Sequence, residues 1–212
     1  MWLRSFTHTI KNHLIAIKSE AEFLKERHNN DDETLYSLQL ILHSCSQSFS
    51  SIDKAVQKLN NITLDLHPCP LDVPIKKAIS KFNFSNNTGL YVNNCKNIPL
   101  AYIDENHITE VIYNIIDNAR DAIDNLQQGI ITLSLEKQKS WAIISIMDNG
   151  TGIADEYKEK IFEPFNSTKS SLNNWGIGLS YCHKIIDAHD GEIVVETEEG
   201  EGTTFKILLP FL

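Results

Sequence analysis

The first 66 residues carry apolar side chains at helical spacing. From Phe6 to Leu24 the apolar positions recur every three or four residues, which predicts a first helix. Turn-forming residues at 27–32 interrupt this pattern. From Leu35 to Leu66 the repeat becomes heptad-like, which predicts a second helix with a two-row apolar seam. The rows are Leu35, Leu42, Phe49 and Val56, and Leu38, Cys45, Ile52, Leu59 and Leu66.

Two antiparallel helices joined by a short loop cannot bury such a seam by themselves. Packing two hairpins into a four-helix bundle removes both rows from water. We therefore expect a homodimer formed through the helical hairpin.

The pattern changes after the second helix. Pro68, Pro70 and Pro74 disfavour further helix, so we expect one domain at 1–67 and another at 68–212. Helices are predicted at 75–82, 106–126 and 179–188, and strands at 90–93, 130–136, 141–147, 192–197 and 204–209. The predicted fold class is α+β, with the helical hairpin followed by an α/β sandwich whose sheet is largely antiparallel.

Charge and cysteine content narrow the function classes. The chain has 7 basic and 8 acidic residues up to residue 67, and 12 against 20 beyond it. An acidic second domain disfavours binding to nucleic acid or to an anionic membrane. Four scattered cysteines without a C-x-x-C pair, and apolar runs far shorter than the roughly 20 residues of a membrane span, predict a cytoplasmic fragment. Any membrane anchor is expected outside this sequence.

Two asparagines lie one turn apart on the predicted helix at 106–126. Asn114 and Asn118 share one face of it, where their amides can reach a metal ion or a phosphate oxygen. The competing interpretation is a pair of solvated surface asparagines.

A carboxylate follows the predicted strand at 141–147. Asp148 precedes Gly150 and Gly152, and glycines let the backbone approach a ligand closely. An ionised carboxylate accepts a hydrogen bond from the exocyclic amino group of adenine. An ordinary Asn-Gly turn is the alternative.

A second glycine pair precedes the predicted helix at 179–188. Gly176 and Gly178 would expose the helix N-terminal N–H groups, which suit a phosphate. Lys169 would supply a cation, and the polar segment 166–174 would act as a lid. A surface loop without function is the alternative. His8 is predicted to face away from the apolar stripe of the first helix, where a lone histidine is usually only solvated.

Read in order, these segments resemble the kinase core of sensor histidine kinases, in which a dimerisation and phosphotransfer hairpin precedes a Bergerat-type ATP-binding domain. The resemblance extends over nearly the whole chain. The matching motifs are His8-Thr9-Ile10-Lys11-Asn12 (H box), Asn114…Asn118-Ala119 (N box), Asp148-x-Gly150-x-Gly152 (G1 box), Phe162-Glu163-Pro164-Phe165 (F box), Gly176-Ile177-Gly178-Leu179 (G2 box) and the final glycine box, Gly200-Glu201-Gly202-Thr203-Thr204-Phe205.

The resemblance implies ATP and Mg²⁺ as cofactors and the receiver domain of a response regulator as partner. It implies that His8 is the phosphoacceptor, that Asn118 is the principal Mg²⁺ ligand with Asn114 beside it, and that Asp148 holds the adenine amino group. Asn12 matches a position that in many relatives orients water for phosphatase activity. The further nucleotide-binding residues implied are Gly150, Gly152, Thr168, Lys169, Gly176, Gly178, Leu179 and Thr204.

Three positions depart from the family pattern. Thr9 stands where an acidic residue usually follows the histidine, His13 stands where a proline is usual, and Asn174-Trp175 replaces a glycine of the G2 box. The alternatives to a kinase are therefore a dimeric nucleotide-binding scaffold without efficient phosphotransfer and a different ATPase of the same fold.

Overall fold

The structure, a computed structural model, describes residues 2–27, 32–60, 62–84, 88–94, 100–124, 126–164 and 176–212. The chain folds into two compact units, Met1–Asn61 and Ile62–Leu212. Asp65 contacts the second unit, since its N–H donates to Oδ2 of Asp104 at 2.9 Å. The domain boundary after residue 67 stays a prediction. None of the described helices is long and apolar enough to cross a membrane.

The first unit is a hairpin of α1 (Trp2–Arg27) and α2 (Asp32–Asn60). The helices are antiparallel, since Lys11 near the start of α1 forms a 2.5 Å ion pair with Asp53 near the end of α2. Three residues of one predicted heptad row are buried, and the other row is half-buried. The buried residues are Leu38, Cys45 and Ile52, and the half-buried ones are Leu35, Leu42, Phe49 and Val56.

The second helix is shorter than its apolar repeat predicts. α2 ends at Asn60, so Leu66 does not extend the seam and is 38% exposed. The prediction of helix up to Leu66 was wrong: residues 62–66 form no helix, and the N–H of Asp65 donates to Asp104 instead.

In its described residues, the second unit contains two sheets and four helices. The helices are α3 (Asp72–Ile79), α4 (Glu105–Ile123), α5 (Asp155–Lys158) and α6 (Gly178–Asp187). The strands are β1 (His67–Pro70), β2 (Thr88–Asn94), β3 (Leu100–Ile103), β4 (Gly129–Gln138), β5 (Trp141–Asp148), β6 (Glu192–Glu198) and β7 (Gly202–Pro210). The main sheet has the order β2-β4-β5-β7-β6, parallel between β2 and β4 and antiparallel elsewhere.

The core lies between the main sheet and the helices on one of its faces. Alternate residues of the three central strands are buried, which is the pattern of a sheet with one face on the core. They are Ile131, Leu133 and Leu135 of β4, Ala142, Ile144 and Ile146 of β5, and Phe205, Ile207 and Leu209 of β7. The apolar face of α4 covers them, with α6 beside it.

A small ribbon of β1 and β3 was not predicted. It pairs His67 with Ile103 and Cys69 with Ala101 in antiparallel register. β1 escaped prediction because its sequence alternates with Pro68 and Pro70, which occur in sheets essentially only on edge strands. β3 leads directly into α4 through Asp104, whose Oδ1 accepts from the N–H groups of Asn106 and His107 at 3.0 Å.

Candidate nucleotide-binding site

The centre of α4 presents a buried amide without a partner. Nδ2 of Asn114 is inaccessible to water and has no hydrogen-bond partner in the described part of the chain. A buried polar atom of this kind is uncommon and requires an explanation such as a ligand. One turn later Asn118 is half-buried on the same helix.

The start of α6 lies beside this amide. A Cβ at Gly178 would be 3.5 Å from Oδ1 of Asn114. In the described residues the N-cap, Ile177, makes no side-chain capping bond. The first N–H groups of a ten-residue helix thus begin next to Asn114, in an arrangement that suits a phosphate.

Asp148 ends β5 as a buried carboxyl, only 5% exposed. The N–H of Gly150 donates to its Oδ1 at 2.8 Å. Burial raises the pKa of Asp148, against the opposite effect of the N–H groups of Gly150 and Thr203. A carboxylate has about four lone-pair positions, so these two bonds orient the group and leave capacity for a donor from a ligand.

Two glycines allow the chain segments around Asp148 to approach each other. Gly152 has φ +65°, and a Cβ on it would lie 2.0 Å from the carbonyl oxygen of Glu198. Gly202 has φ +108°, and a Cβ on it would lie 2.1 Å from the carbonyl oxygen of Asp148. The turn between β6 and β7 therefore closes on the end of β5 at distances that only glycine permits.

A threonine pair connects the same segments, and it was not identified from the sequence. Oγ1 of Thr197 lies 3.0 Å from Oγ1 of Thr203 and accepts from the N–H of Ile153 at 3.0 Å. Thr203 falls within the final glycine box, which was a usable signal. Thr197 sits on β6 with no neighbouring motif, so its role depends on strand pairing.

Some of the remaining predicted residues lie in the described part of the chain, and others lie outside it. Leu179 and Thr204 are half-buried, at the start of α6 and on β7, and Gly176 has φ +62°. The F-box ring of Phe162 packs at 5.2 Å, centroid to centroid, against His183 of α6. Thr168, Lys169 and the rest of the predicted lid lie outside the described residues.

The H box lies on α1. Asn12 is exposed there, four residues after His8. The side chains of His8 and Thr9 lie outside the described set, so the predicted outward direction of His8 stays a prediction. The functional roles of four further residues also stay predictions: Asn12, Asn114, Asn118 and Asp148.

The family match lies within the second unit. Residues 103–212 match the family model described as Histidine kinase-, DNA gyrase B-, and HSP90-like ATPase. Sporulation kinase C of Bacillus subtilis is 37% identical over 136 residues, covering 64% of this chain and 29% of that protein. Sensor histidine kinase ZraS of Escherichia coli K12 is 28% identical over 206 residues, covering 96% of this chain and 43% of that protein. The chain thus spans less than half the length of these two curated relatives.

Solved structures share the fold. The catalytic domain of histidine kinase ThkA is 29% identical with a TM-score of 0.61, covering 69% of this chain and 96% of that one. Histidine kinase ThkA in complex with response regulator protein TrrA is 23% identical with a TM-score of 0.67, covering 99% of this chain and 61% of that one. The second match shows that a helical hairpin followed by this α/β sandwich is a known arrangement of one chain. The chain belongs to the histidine kinase-, DNA gyrase B- and HSP90-like ATPase family, and within it to the sensor histidine kinases.

Proposed function

We propose that this chain is the core of a homodimeric sensor histidine kinase that transfers the γ-phosphoryl group of ATP to His8 and then to an aspartate of a response-regulator receiver domain. The observation that carries the proposal is the buried, unpartnered amide of Asn114 beside the start of α6. It is joined by a buried carboxyl, Asp148, at the end of β5. The second unit carries a net negative charge, which would repel an anionic nucleotide if the unit lacked these groups.

Each end of the nucleotide has complementary groups. Asp148 accepts the adenine amino hydrogen, and Gly150 and Gly152 follow it in the same proposed nucleotide-binding motif. The N–H groups of α6 at Gly178 and Leu179, together with Gly176, cradle the phosphates. The family resemblance adds Thr168, Lys169 and Thr204 to the proposed nucleotide-binding residues.

The amides of α4 fit Mg²⁺, which takes oxygen ligands and keeps several waters. Asn118 would hold the ion through its amide oxygen, and Asn114 would stand on the phosphate side. When bound, Mg²⁺ neutralises charge on the β- and γ-phosphates. The orphaned Nδ2 of Asn114 would donate to a phosphate oxygen.

His8 performs the phosphoryl transfer. A lone pair of its neutral imidazole forms the N–P bond while the bond from the γ-phosphorus to the bridging oxygen breaks, and ADP leaves with that electron pair. The imidazole proton then passes to water. A neutral imidazole is available because histidine titrates near pH 6.5. The hydroxyl of Thr9 can orient an imidazole but is a weak base.

The homodimer is supported by the apolar surface of the hairpin. The half-buried heptad row faces no described partner within the unit that would bury it fully. Further apolar side chains are exposed on the same two helices: Ile15, Ile17, Phe23, Tyr36, Leu40 and Ile41. A second hairpin would cover these positions in a four-helix bundle.

Labelling with γ-³²P-ATP tests the proposal. Wild type should acquire acid-labile, base-stable phosphate, and His8→Ala should acquire none. Equal labelling of both chains would contradict it. Once the phosphorylated chain is mixed with a cognate receiver domain, the label should move to the receiver. Asn12→Ala should slow removal of phosphate from that receiver, which tests the phosphatase role.

Thr9 and the altered G2 box favour one alternative, a dimeric scaffold that binds nucleotide without transfer. Nucleotide binding without any labelling, in a chain with its upstream region restored, would support the scaffold. Steady ATP hydrolysis that His8→Ala leaves unchanged would instead indicate a different ATPase of this family.

A further inference from the structure

Three potential metal ligands meet where β1 approaches the start of α4. One ligand atom each of His67, Cys69 and Glu105 lies within 4.8 Å of the other two. None of these residues has a role in the nucleotide site.

The register of the small ribbon brings them together. His67 and Cys69 are two residues apart on β1, so their side chains share one face of the strand. His67 pairs with Ile103 of β3, and α4 begins with Glu105 only two residues later. The first turn of α4 therefore carries a carboxylate to the histidine and the thiol.

The three donors are already arranged for a cation. Sγ of Cys69 lies 3.9 Å from Oε2 of Glu105, whereas donor atoms around a tetrahedral Zn²⁺ are roughly 3.5 Å apart, given bonds of about 2.0–2.3 Å. Nδ1 of His67 lies 3.1 Å from the carbonyl oxygen of Asp65, which can only accept a hydrogen bond. The proton is thus assigned to Nδ1, and the lone pair of Nε2 is available to a metal.

The positive charge of Lys77 opposes the binding of a cation at these three residues. The ammonium of Lys77 forms an ion pair with Oε1 of Glu105, while Oε2 is directed at Cys69. The Lys77 side chain is 56% exposed, so it can turn into solvent without loss of a buried contact. Cys69 itself is buried, at 3% exposure.

We propose that His67, Cys69 and Glu105 form a site for a zinc-class transition metal, with water as the fourth ligand, that fastens β1 to the first turn of α4. Imidazole, thiolate and carboxylate are the ligand types that Zn²⁺ uses. On binding, the metal–sulfur bond forms, the S–H bond breaks and the proton passes to the buffer. The site lies on the helix that also carries Asn114 and Asn118.

Cobalt substitution tests the site on the whole chain, reduced and freed of metal by chelator. Titration with Co²⁺ should produce a thiolate-to-cobalt charge-transfer band that saturates at one equivalent, and Zn²⁺ should bleach it. Cys69→Ala should abolish the band. The matched control Cys45→Ala, at a buried position of the hairpin, should keep it.

Two surface variants keep the test decisive if Cys69→Ala fails to fold. His67→Ala, at an exposed position, should weaken Zn²⁺ affinity at least about tenfold. Lys77→Gln should strengthen it several-fold, because the competing cation is gone. A wild type without the charge-transfer band, a band that persists in Cys69→Ala, or an affinity unchanged in His67→Ala would each overturn the proposal. Circular dichroism of each variant shows whether it is folded.

Discussion

A single carboxyl at the end of β5 is the residue on which nucleotide recognition most depends in this proposal. The backbone holds Asp148 in place, because the N–H of Gly150 donates to it. Its substitution by asparagine keeps an acceptor for that N–H but presents a neutral amide to the base.

Asp148→Asn should weaken binding of ADP or a non-hydrolysable ATP analogue by roughly 10- to 100-fold. A hydrogen bond to a charged group contributes about 1.5–3 kcal/mol, and each 1.4 kcal/mol is a factor of ten. Isothermal titration calorimetry measures the difference. Asp187→Asn, an equal change of charge at the exposed end of α6, is the control. Equal affinities of Asp148→Asn and wild type would remove Asp148 from the site.

Thr9→Glu should accelerate labelling of His8 by about tenfold or more. A carboxylate next to the histidine can accept its proton, and general-base catalysis contributes typically 10²–10⁴-fold. The initial rate of phosphohistidine formation is the measurement. The double variant His8→Ala, Thr9→Glu must stay unlabelled. An unchanged rate would mean that proton acceptance does not limit the reaction.

At the scale of elements, the turn between β6 and β7 and the end of β5 form one closely packed unit. Its geometry depends on Gly202, whose φ and surroundings both exclude a side chain. The final glycine box, which contains Gly202, thus has a packing role as well as its proposed ligand-binding role.

Gly202→Ala should lower the free energy of unfolding by more than about 2 kcal/mol, because the new Cβ meets the carbonyl oxygen of Asp148 in a left-handed backbone conformation. Gly200→Ala is the matched control. Gly200 also has a positive φ, +87°, but nothing lies within 4 Å of its Cβ position, so the cost should be only roughly 1–2 kcal/mol. Urea unfolding compares the two variants. Equal losses would show that conformation alone, and not the close approach, sets the requirement.

His189 joins the end of α6 to the start of α4. Its Nε2 accepts from the N–H of Asp104 at 2.9 Å, and its Nδ1 donates to the carbonyl oxygen of Ile185 at 2.7 Å. Burial lowers the pKa of His189, against the carbonyl of Ile185 and the carboxylates of Asp104 and Asp190, while the nearby His107 acts with burial. The folded chain therefore holds this ring neutral.

Stability should consequently fall as the pH drops below about 6.5, where the histidine of the unfolded chain takes up a proton that the folded chain resists. The loss continues until the pH reaches the lowered pKa of the folded state. Urea unfolding between pH 7.5 and 5.5 measures the slope. His189→Gln should flatten it, and His43→Gln, at an exposed position of α2, should not. Identical slopes in all three chains would contradict the assignment.

Sequence patterns predicted the elements whose apolar faces repeat regularly. In α4, α6 and the central strands, apolar residues recur at regular spacing. That spacing predicted whether each segment is a helix or a strand and which of its faces is buried. β1 was not predicted because its two prolines are unusual in a strand and occur essentially only at a sheet edge. α2 was predicted too long because Leu66 matches the heptad spacing although it lies beyond the end of the helix.

Proximity across the chain was harder to predict. The asparagine and glycine motifs of the site could be identified, but their meeting at Asn114 and Gly178 required the family resemblance. The contact of Thr197 with Ile153, and that of His189 with Asp104, join residues far apart in sequence without any local pattern.

For the whole molecule, the proposed homodimer is the property that depends most directly on the hairpin. Phe49→Glu should convert that proposed dimer to a monomer and raise the dissociation constant by at least about 100-fold, because a charge would enter the interior of the proposed bundle. Sedimentation velocity measures the change. Ser50→Glu adds the same charge at an exposed neighbour and should leave the dimer intact. A monomeric wild type would contradict the four-helix bundle.

The order of the main sheet has a consequence for colloidal behaviour. Its two outer strands are β2 and β6, and the edge of a sheet is a template for pairing with another chain. β6 carries Glu192, Glu196 and Glu198, whose like charges repel a second copy. β2, with the sequence Thr-Gly-Leu-Tyr-Val-Asn-Asn, carries no charged residue and exposes Tyr91 and Val92. Electrostatic repulsion therefore protects the β6 edge of the sheet from aggregation, whereas among the described residues β2 itself offers no charged side chain for this purpose.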